Sequence, residues 1–257
     1  MTEILAIANQ KGGVGKTTTT INLGAALAAL ERRVLLVDCD PQGNATRGLG
    51  AEATPPHLYH VLVDATPAAE AVRGTGFPHL DLLPANRDLV GVEVEFVGEE
   101  GWEGRLGRVL APVVASYDAV LIDCPPSLGH LTVMALAAAD GVLVPLQCEY
   151  YALEGVSELV STVRRVQGSL NPRLEISGVL LTMYDDRTNL SREVADEIRR
   201  HFGRRVFDTV IPRNIRLAEA PSHGLPVLQY DIRCRGAEAY LATARELLGR
   251  ERLGRTA

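Results

Sequence analysis

Glu3-Ile4-Leu5-Ala6-Ile7-Ala8 runs directly into Asn9-Gln10-Lys11-Gly12-Gly13-Val14-Gly15-Lys16-Thr17-Thr18, and a helical pattern covers Thr17–Leu30. An apolar strand, a glycine-rich loop and a helix, in that order, make a phosphate cradle. Glycines let the backbone curl with its N–H groups inward. A lysine reaches the β- and γ-phosphates, and a hydroxyl ligates Mg²⁺. The helix N-terminus adds a dipole that favours anions. Gly12, Gly13, Gly15, Lys16 and Thr17 supply these parts in sequence. The pattern G-x-x-x-x-G-K-[ST] holds except at its first position, where Gln10 stands, and Lys11 is an additional cation beside it.

Outward from the loop, short apolar runs alternate with helical patterns. Strands are expected at Glu3–Ala8, Arg33–Asp38, His79–Leu83, Asp118–Asp123, Gly141–Leu146, Glu175–Thr182 and Arg205–Ile211. Several are continuous Val/Ile/Leu/Ala runs, which suits strands buried on both faces of a parallel sheet. Helices are expected at Arg105–Ala115, Leu131–Ala138, Leu153–Gln167, Leu190–Phe202 and Ala237–Leu248. The alternation predicts an α/β fold: a doubly wound, mostly parallel sheet with helices on both faces. Residues 1–257 read as a single domain, with 250–257 as a frayed tail.

The 257 residues are 46% hydrophobic and 23% charged, which excludes a disordered or collagen-like chain. Cys39, Cys124, Cys148 and Cys234 are far apart, without zinc-like spacing, and read as packing residues of a reducing compartment. The N-terminus lacks a basic leader pattern, and no apolar run is long enough to span a membrane. Lys11 and Lys16 are the only lysines among 26 basic residues, and both lie in the phosphate loop. A compact ammonium on a flexible stem suits such a cradle better than a guanidinium does. Net charge is −6, unevenly spread. Residues 1–180 carry 12 basic and 21 acidic side chains, whereas 181–257 carry 14 basic and 11 acidic. The basic third permits an anion-binding face.

Three carboxylates stand where α/β sheets bind ligands, at the carboxyl ends of expected strands. Asp123 ends one run and is expected to order the Mg²⁺ shell, through water. Asp38 and Asp40 end another, two residues apart and therefore on one side of an extended chain. Both can face the nucleotide, and for Asp38 that role and the capping of the next turn both stay open.

Lys11-Gly12-Gly13-Val14-Gly15-Lys16-Thr17-Thr18 resembles the deviant Walker A motif of the ParA/MinD class of P-loop ATPases. Val37-Asp38-Cys39-Asp40-Pro41-Gln42-Gly43-Asn44 is similar to the second motif of that class. Val120-Leu121-Ile122-Asp123-Cys124-Pro125-Pro126 is similar to its Walker B strand end. Glu149-Tyr150-Tyr151-Ala152-Leu153-Glu154-Gly155, Pro212-Arg213-Asn214 and Leu217-Ala218-Glu219-Ala220-Pro221-Ser222 resemble the chromosomal ParA (Soj) subgroup. The resemblance implies ATP and Mg²⁺ as cofactors, held by Lys11, Gly12, Gly13, Val14, Gly15, Lys16, Thr17 and Thr18. It implies that Lys11 reaches the partner's phosphates in a nucleotide-sandwich homodimer, that Asp40 positions the attacking water, and that Asp38 supports the magnesium or switch region. Pro212 and Asn214 become adenine-side candidates, with a plain turn role for Asn214 still open. The resemblance further implies a cytoplasmic, nucleoid-associated protein. Its ATP-bound dimer would bind double-stranded DNA non-specifically, and a ParB-like centromere-binding partner would stimulate weak hydrolysis.

The DNA candidates are Arg187, Arg192, Arg199, Arg200, Arg213 and Arg216. Leu190, Val194, Ile198 and Phe202 form the expected buried stripe of the helix carrying three of them. A solvated face with acidic partners is the competing reading of these arginines. Three other functions compete. A MinD-like membrane-cycling ATPase would need a C-terminal amphipathic anchor, for which Tyr240, Leu241, Ala244, Leu247 and Leu248 offer only a modest stripe. Stable membrane association is therefore not expected. A metabolic P-loop synthetase would need a further substrate site. An iron–sulfur reductase would need cluster cysteines outside the nucleotide motifs.

Overall fold

The computed structural model describes residues 2–149 and 152–254, with backbone only at 152–155 and 251–254. Tyr150, Tyr151 and the 255–257 end of the expected tail lie outside the described residues. Helix Arg235–Gly254 carries the chain through most of the remaining tail.

Seven strands form one sheet: β1 (Glu3–Ile7), β2 (Val34–Asp38), β3 (Arg73–Gly74), β4 (Leu80–Leu83), β5 (Ala119–Asp123), β6 (Gly141–Gln147) and β7 (Glu175–Thr182). Their order is β3-β4-β2-β5-β1-β6-β7, and all pairs are parallel except the short edge pair β3–β4. The apolar runs are continuous because both faces are covered. Along β2, Val34 and Leu36 face the layer of helices Lys16–Ala29 and Arg235–Gly254. Leu35 and Val37 face the layer containing helices Arg105–Val114, His130–Ala138 and Asn189–Phe202. The expected α/β architecture is thus the observed one.

Two expectations change. Residues 205–211 form no strand, only single bridges from Val206 to Val179 and from Pro212 to Tyr184. The N–H groups of Phe207 and Ile211 do reach the carbonyls of Val179 and Leu181. Between them, the N–H groups of Asp208 and Thr209 donate to the Glu246 carboxylate at 2.8 and 3.0 Å, so the ladder is interrupted from the C-terminal helix. The stripe of helix Asn189–Phe202 is also displaced. Leu190 is 46% exposed, and the buried positions are Ser191, Val194, Ala195 and Ile198. Ser191 is drawn in because its N–H and hydroxyl both bond the capping Thr188 hydroxyl.

The C-terminal helix settles on the body. Tyr240, Ala244 and Leu247 are buried, and Leu241 and Leu248 pack at their margin. The Tyr240 hydroxyl lies 3.1 Å from that of Thr19 on the phosphate-loop helix. Among the described residues no helix is long and apolar enough to cross a membrane.

Candidate nucleotide-binding site

The strand order places β2, β5 and β1 side by side, so their carboxyl ends open onto one place. Asp38 and Asp123 are in direct register across β2–β5, and Ile7 is in register with Asp123 across β1–β5. The phosphate loop therefore rises beside Asp123, with Asp38 and Asp40 on its far side. This is where an open α/β sheet binds ligands.

Local sequence shapes the loop. Asn9 ties its start, donating to the Pro145 carbonyl at 2.8 Å and accepting the Lys11 N–H at 3.0 Å. Thr182, at the end of β7, donates to the Val14 carbonyl at 2.8 Å. Gly15 has φ +89°, a left-handed conformation that leads into helix Lys16–Ala29. A Cβ at Gly12 or Gly13 would meet nothing within 4 Å, so open space lies along the loop.

Lys16 is buried, and its Nζ donates to the Lys11 carbonyl at 3.1 Å. Burial pulls its ammonium pKa down, while the charges of Asp123 and Asp40 oppose that pull. The Thr17 hydroxyl donates to Asp123 Oδ2 at 2.7 Å, and the Thr20 hydroxyl donates to Oδ1 at 2.9 Å. Burial, reinforced by Asp38, pushes the Asp123 carboxyl up to about 8. Burial also pushes Asp38 up to about 6. Carboxylates this dry and this close to one another call for a cation. The donor set is all oxygen, which suits Mg²⁺.

Asp38 is occupied locally. Its Oδ2 accepts from the Thr46 N–H at 2.8 Å and hydroxyl at 2.7 Å, and its Oδ1 accepts the Asp40 N–H at 3.2 Å. This geometry favours the capping reading over direct magnesium contact. Thr46 in turn accepts the Ala85 N–H at 3.0 Å, linking the turn after β2 to the chain after β4. Gly43 is required in that turn: its φ is +60°, and a Cβ would stand 2.6 Å from the Ala85 carbonyl oxygen. Asp40 is buried, with Oδ1 accepting the Gln42 N–H at 2.8 Å. Cys39 and Cys124 follow these carboxylates, are buried and free, and have thiols pushed up by burial. They are inert packing residues.

Lys11 is paired with a residue outside its own loop. Its Nζ pairs with Glu149 Oε2 at 2.6 Å, and both side chains remain partly exposed. Glu149 belongs to a Soj-like motif, but its pairing with a residue 138 positions earlier carries no sequence signal. Thr20 joins the site without being among the expected residues. Its signal is its place three residues after Thr17, on the same helix face.

A family model described as an AAA domain matches residues 2–176. Over 253 residues the chain is 57% identical to the chromosome partitioning protein ParA of Caulobacter vibrioides, a match covering 97% of this chain and 95% of that one. The chain belongs to the ParA/Soj family of chromosome-partitioning ATPases. The sporulation initiation inhibitor protein Soj of Bacillus subtilis is 55% identical, over 96% of this chain and 98% of that one. Among solved structures, the chain is similar to the cobyrinic acid a,c-diamide synthase from Mycobacterium smegmatis with bound ATP analog and magnesium. The TM-score is 0.87 at 41% identity, covering 99% of this chain and 97% of that one.

For a ParA/Soj ATPase, the outlying candidates are placed unequally. Pro212 bridges to Tyr184, and Asn214 caps the short helix Ile215–Glu219, its Oδ1 accepting the Arg216 N–H at 2.8 Å. That bond is the plain cap role, and it occupies one of the two lone pairs of the Asn214 carbonyl oxygen. Arg187 is bidentate on Asp185, at 2.8 and 2.7 Å. Arg216 pairs with Glu219 at 2.8 Å and with Asp231 at 3.4 Å. Arg199 lies 3.9 Å from Asp196. Arg192 donates to the Asn189 side chain and Arg200 to the Asp196 carbonyl, both neutral acceptors. Among the described residues, Arg192, Arg200 and Arg213 have no carboxylate within salt-bridge distance. These three are the better DNA candidates of the set.

Proposed function

We propose that this ATPase partitions DNA: Mg-ATP closes a nucleotide-sandwich homodimer, the dimer binds duplex DNA without sequence preference, and a ParB-like partner stimulates hydrolysis and release. The observation that carries the reading is Lys11. A lysine kept in the phosphate loop, yet paired with the partly exposed Glu149, can exchange that carboxylate for another subunit's phosphate. The exchange is favourable only where a second loop faces the first, so hydrolysis and dimerisation become linked. The protein would act in the cytoplasm, on the nucleoid.

Lys16, with the loop N–H groups, holds the β- and γ-phosphates. Thr17 and Asp123 would hold Mg²⁺, which supplies charge neutralisation at the phosphates. Asp40 orients the attacking water, and Asp38 fixes the turn on which Asp40 stands. Positioning and charge account for the catalysis, since phosphoryl transfer needs little covalent help. The C-terminal stripe packs inward, which favours DNA over a membrane as the surface bound.

The direct test compares the protein with random-sequence duplex DNA and with anionic liposomes, with and without a non-hydrolysable ATP analogue and Mg²⁺, at two salt concentrations. Nucleotide-dependent, salt-sensitive binding to DNA alone is expected. Binding to liposomes without DNA would transfer the protein to the membrane-cycling class. Arg192→Glu with Arg200→Glu should weaken DNA binding at least about tenfold and flatten the salt slope by about 0.9 for each phosphate no longer neutralised. An unchanged slope would remove this helix from the DNA face.

Gly12→Val tests the sandwich separately. A Cβ there meets nothing within 4 Å in the single chain, so the fold and its melting temperature should be unaffected. The dimer, where the facing loop would occupy that space, should be lost. An intact ATP-dependent dimer in sedimentation would count against the arrangement.

A further inference from the structure

Asp40 stands on the turn 39–43, which leads from β2 into helix Asn44–Gly48. Much of what holds this turn is its own. The Gly43 N–H donates to the Asp40 carbonyl at 2.8 Å, and the Asp40 N–H donates to Asp38 Oδ1 at 3.2 Å. A turn closed only on itself keeps its shape but swings as a body about its ends. Fixing the direction of the Asp40 carboxylate takes a tie to a part of the fold that does not move with the turn.

Thr46 makes that tie. Its hydroxyl is used in both directions: it donates to Asp38 Oδ2 at 2.7 Å and accepts the Ala85 N–H at 3.0 Å. Among the described residues, the bond to Ala85 is the only hydrogen bond from residues 40–46 to any part of the chain outside 38–51. Ala85 is a firm post. It follows β4, where Leu83 is in register with Val37 of β2, and the Pro84 carbonyl before it accepts the Leu58 N–H at 2.9 Å. It meets the turn at a second point, because its carbonyl oxygen lies against Gly43. Thr46 and Ala85 are each 1% exposed, so water does not compete for their bond. Valine has nearly the shape of threonine, so packing alone does not call for a hydroxyl here.

We propose that Thr46 is a positioning residue for ATP hydrolysis: its hydroxyl anchors the Asp40 turn to the end of β4 and so aims the Asp40 carboxylate at the attacking water. The inference rests on the reading of Asp40 as the group that orients that water, and Thr46 acts through Asp40. A carboxylate that swings is less often in place, and an ångström of misplacement can cost about a hundredfold in rate. Nucleotide binding is separate, because Lys16 and the loop N–H groups that hold the phosphates are not on this turn.

The test measures phosphate release against ATP concentration for the wild type, Thr46→Val and Thr46→Ser, each with and without Asp40→Ala, well below each protein's melting temperature. Thr46→Val keeps the backbone bond to Asp38 and removes both hydroxyl bonds. Its kcat should fall at least about tenfold while KM for ATP stays within about twofold. Thr46→Ser should restore kcat to within about threefold of the wild type, because the hydroxyl alone carries the tie. In the Asp40→Ala background, Thr46→Val should cost nothing further, since the positioned group is already gone. A general loosening of the fold would instead lower both backgrounds alike and raise KM. That pattern, an unchanged kcat in Thr46→Val beside an inactive Asp40→Ala, or a serine variant as slow as the valine one, would overturn the proposal and leave the Asp40 reading standing. A fully active Asp40→Ala would remove the Asp40 reading, and this inference with it. If Thr46→Val does not fold, Thr46→Ala, which leaves room for a water at the Ala85 N–H, is judged by the same outcomes.

Discussion

Lys16→Ala will abolish detectable Mg-ATP binding while leaving the fold in place. Lys16 is a buried cation at the start of a helix, its Nζ bonded to the Lys11 carbonyl. Removing it takes away the charged head and a buried aliphatic stem at the first turn of a helix, where alanine is the best helix former. The ammonium is already penalised by burial, so its retention is a cost met by what it binds. Facing a triphosphate, it makes charge-assisted bonds in a site screened from water, where losing one partner typically costs a few kcal/mol. The neighbouring carboxylates sharpen the effect. Asp123 and Asp40 both act on Lys16 electrostatically. Without it, they face an incoming polyanion with no fixed cation from the cradle between them. The measurement is thermal unfolding with and without Mg-ATP. At nucleotide a hundredfold above its Kd, the wild type gains about 2.7 kcal/mol from binding, and the variant should gain none. A variant that melts normally and shows the full nucleotide shift would remove Lys16 from the site.

Why that lysine could be found from sequence, and others could not be placed, follows from how local their interactions are. The loop from Asn9 to Thr18 is contiguous, and its neighbours β1 and helix Lys16–Ala29 are set by apolar runs within reach of a short window. Asp38, Asp40 and Asp123 were legible for a similar reason. Asp38 and Asp123 end runs buried on both faces, Asp40 stands two residues past the first, and such runs belong at the middle of a parallel sheet. Residues whose role depends on distant parts of the chain were not legible. The Lys11–Glu149 pair joins the two sides of the β1–β6 neighbourhood across 138 positions. Glu246 breaks an expected strand by reaching back to Asp208 and Thr209 from a different helix. The two-residue strand β3 has no periodicity to detect. Short-range competition misleads in another way. Arg187 finds Asp185 two residues away, and Arg216 finds Glu219 on the next helical turn, so counting arginines overstates the charge free for DNA.

The turn after β2 separates two aspartates that the sequence shows as near twins, and Asp40→Ala exploits the difference. Asp38 is spent on Thr46 and on the Asp40 N–H, so it secures the turn. The Asp40 carboxylate makes one bond within its own turn, to the Gln42 N–H, and its second oxygen is uncommitted among the described residues. Truncation at residue 40 therefore leaves the Asp38 bonds, the Gly43 conformation and the Thr46–Ala85 contact in place, because the bond to Asp38 comes from the backbone of residue 40. The loss falls on chemistry. A group that orients or accepts a proton from the attacking water is typically worth about 10²–10⁴-fold in rate. The same change removes one negative charge from the side of the γ-phosphate, so nucleotide affinity should hold or rise. Binding without turnover means that the closed state accumulates. With Mg-ATP, Asp40→Ala should run as a persistent dimer in size-exclusion chromatography with light scattering and remain on DNA, while phosphate release falls at least about a hundredfold. Asp38→Ala should behave differently. With the Thr46 N–H and hydroxyl stranded in a buried turn, it should lose about 1–3 kcal/mol of stability before any question of catalysis arises. A stable, monomeric and fully active Asp40→Ala protein would take the water-positioning role away from this residue. It would also require another group within the site to order the nucleophile.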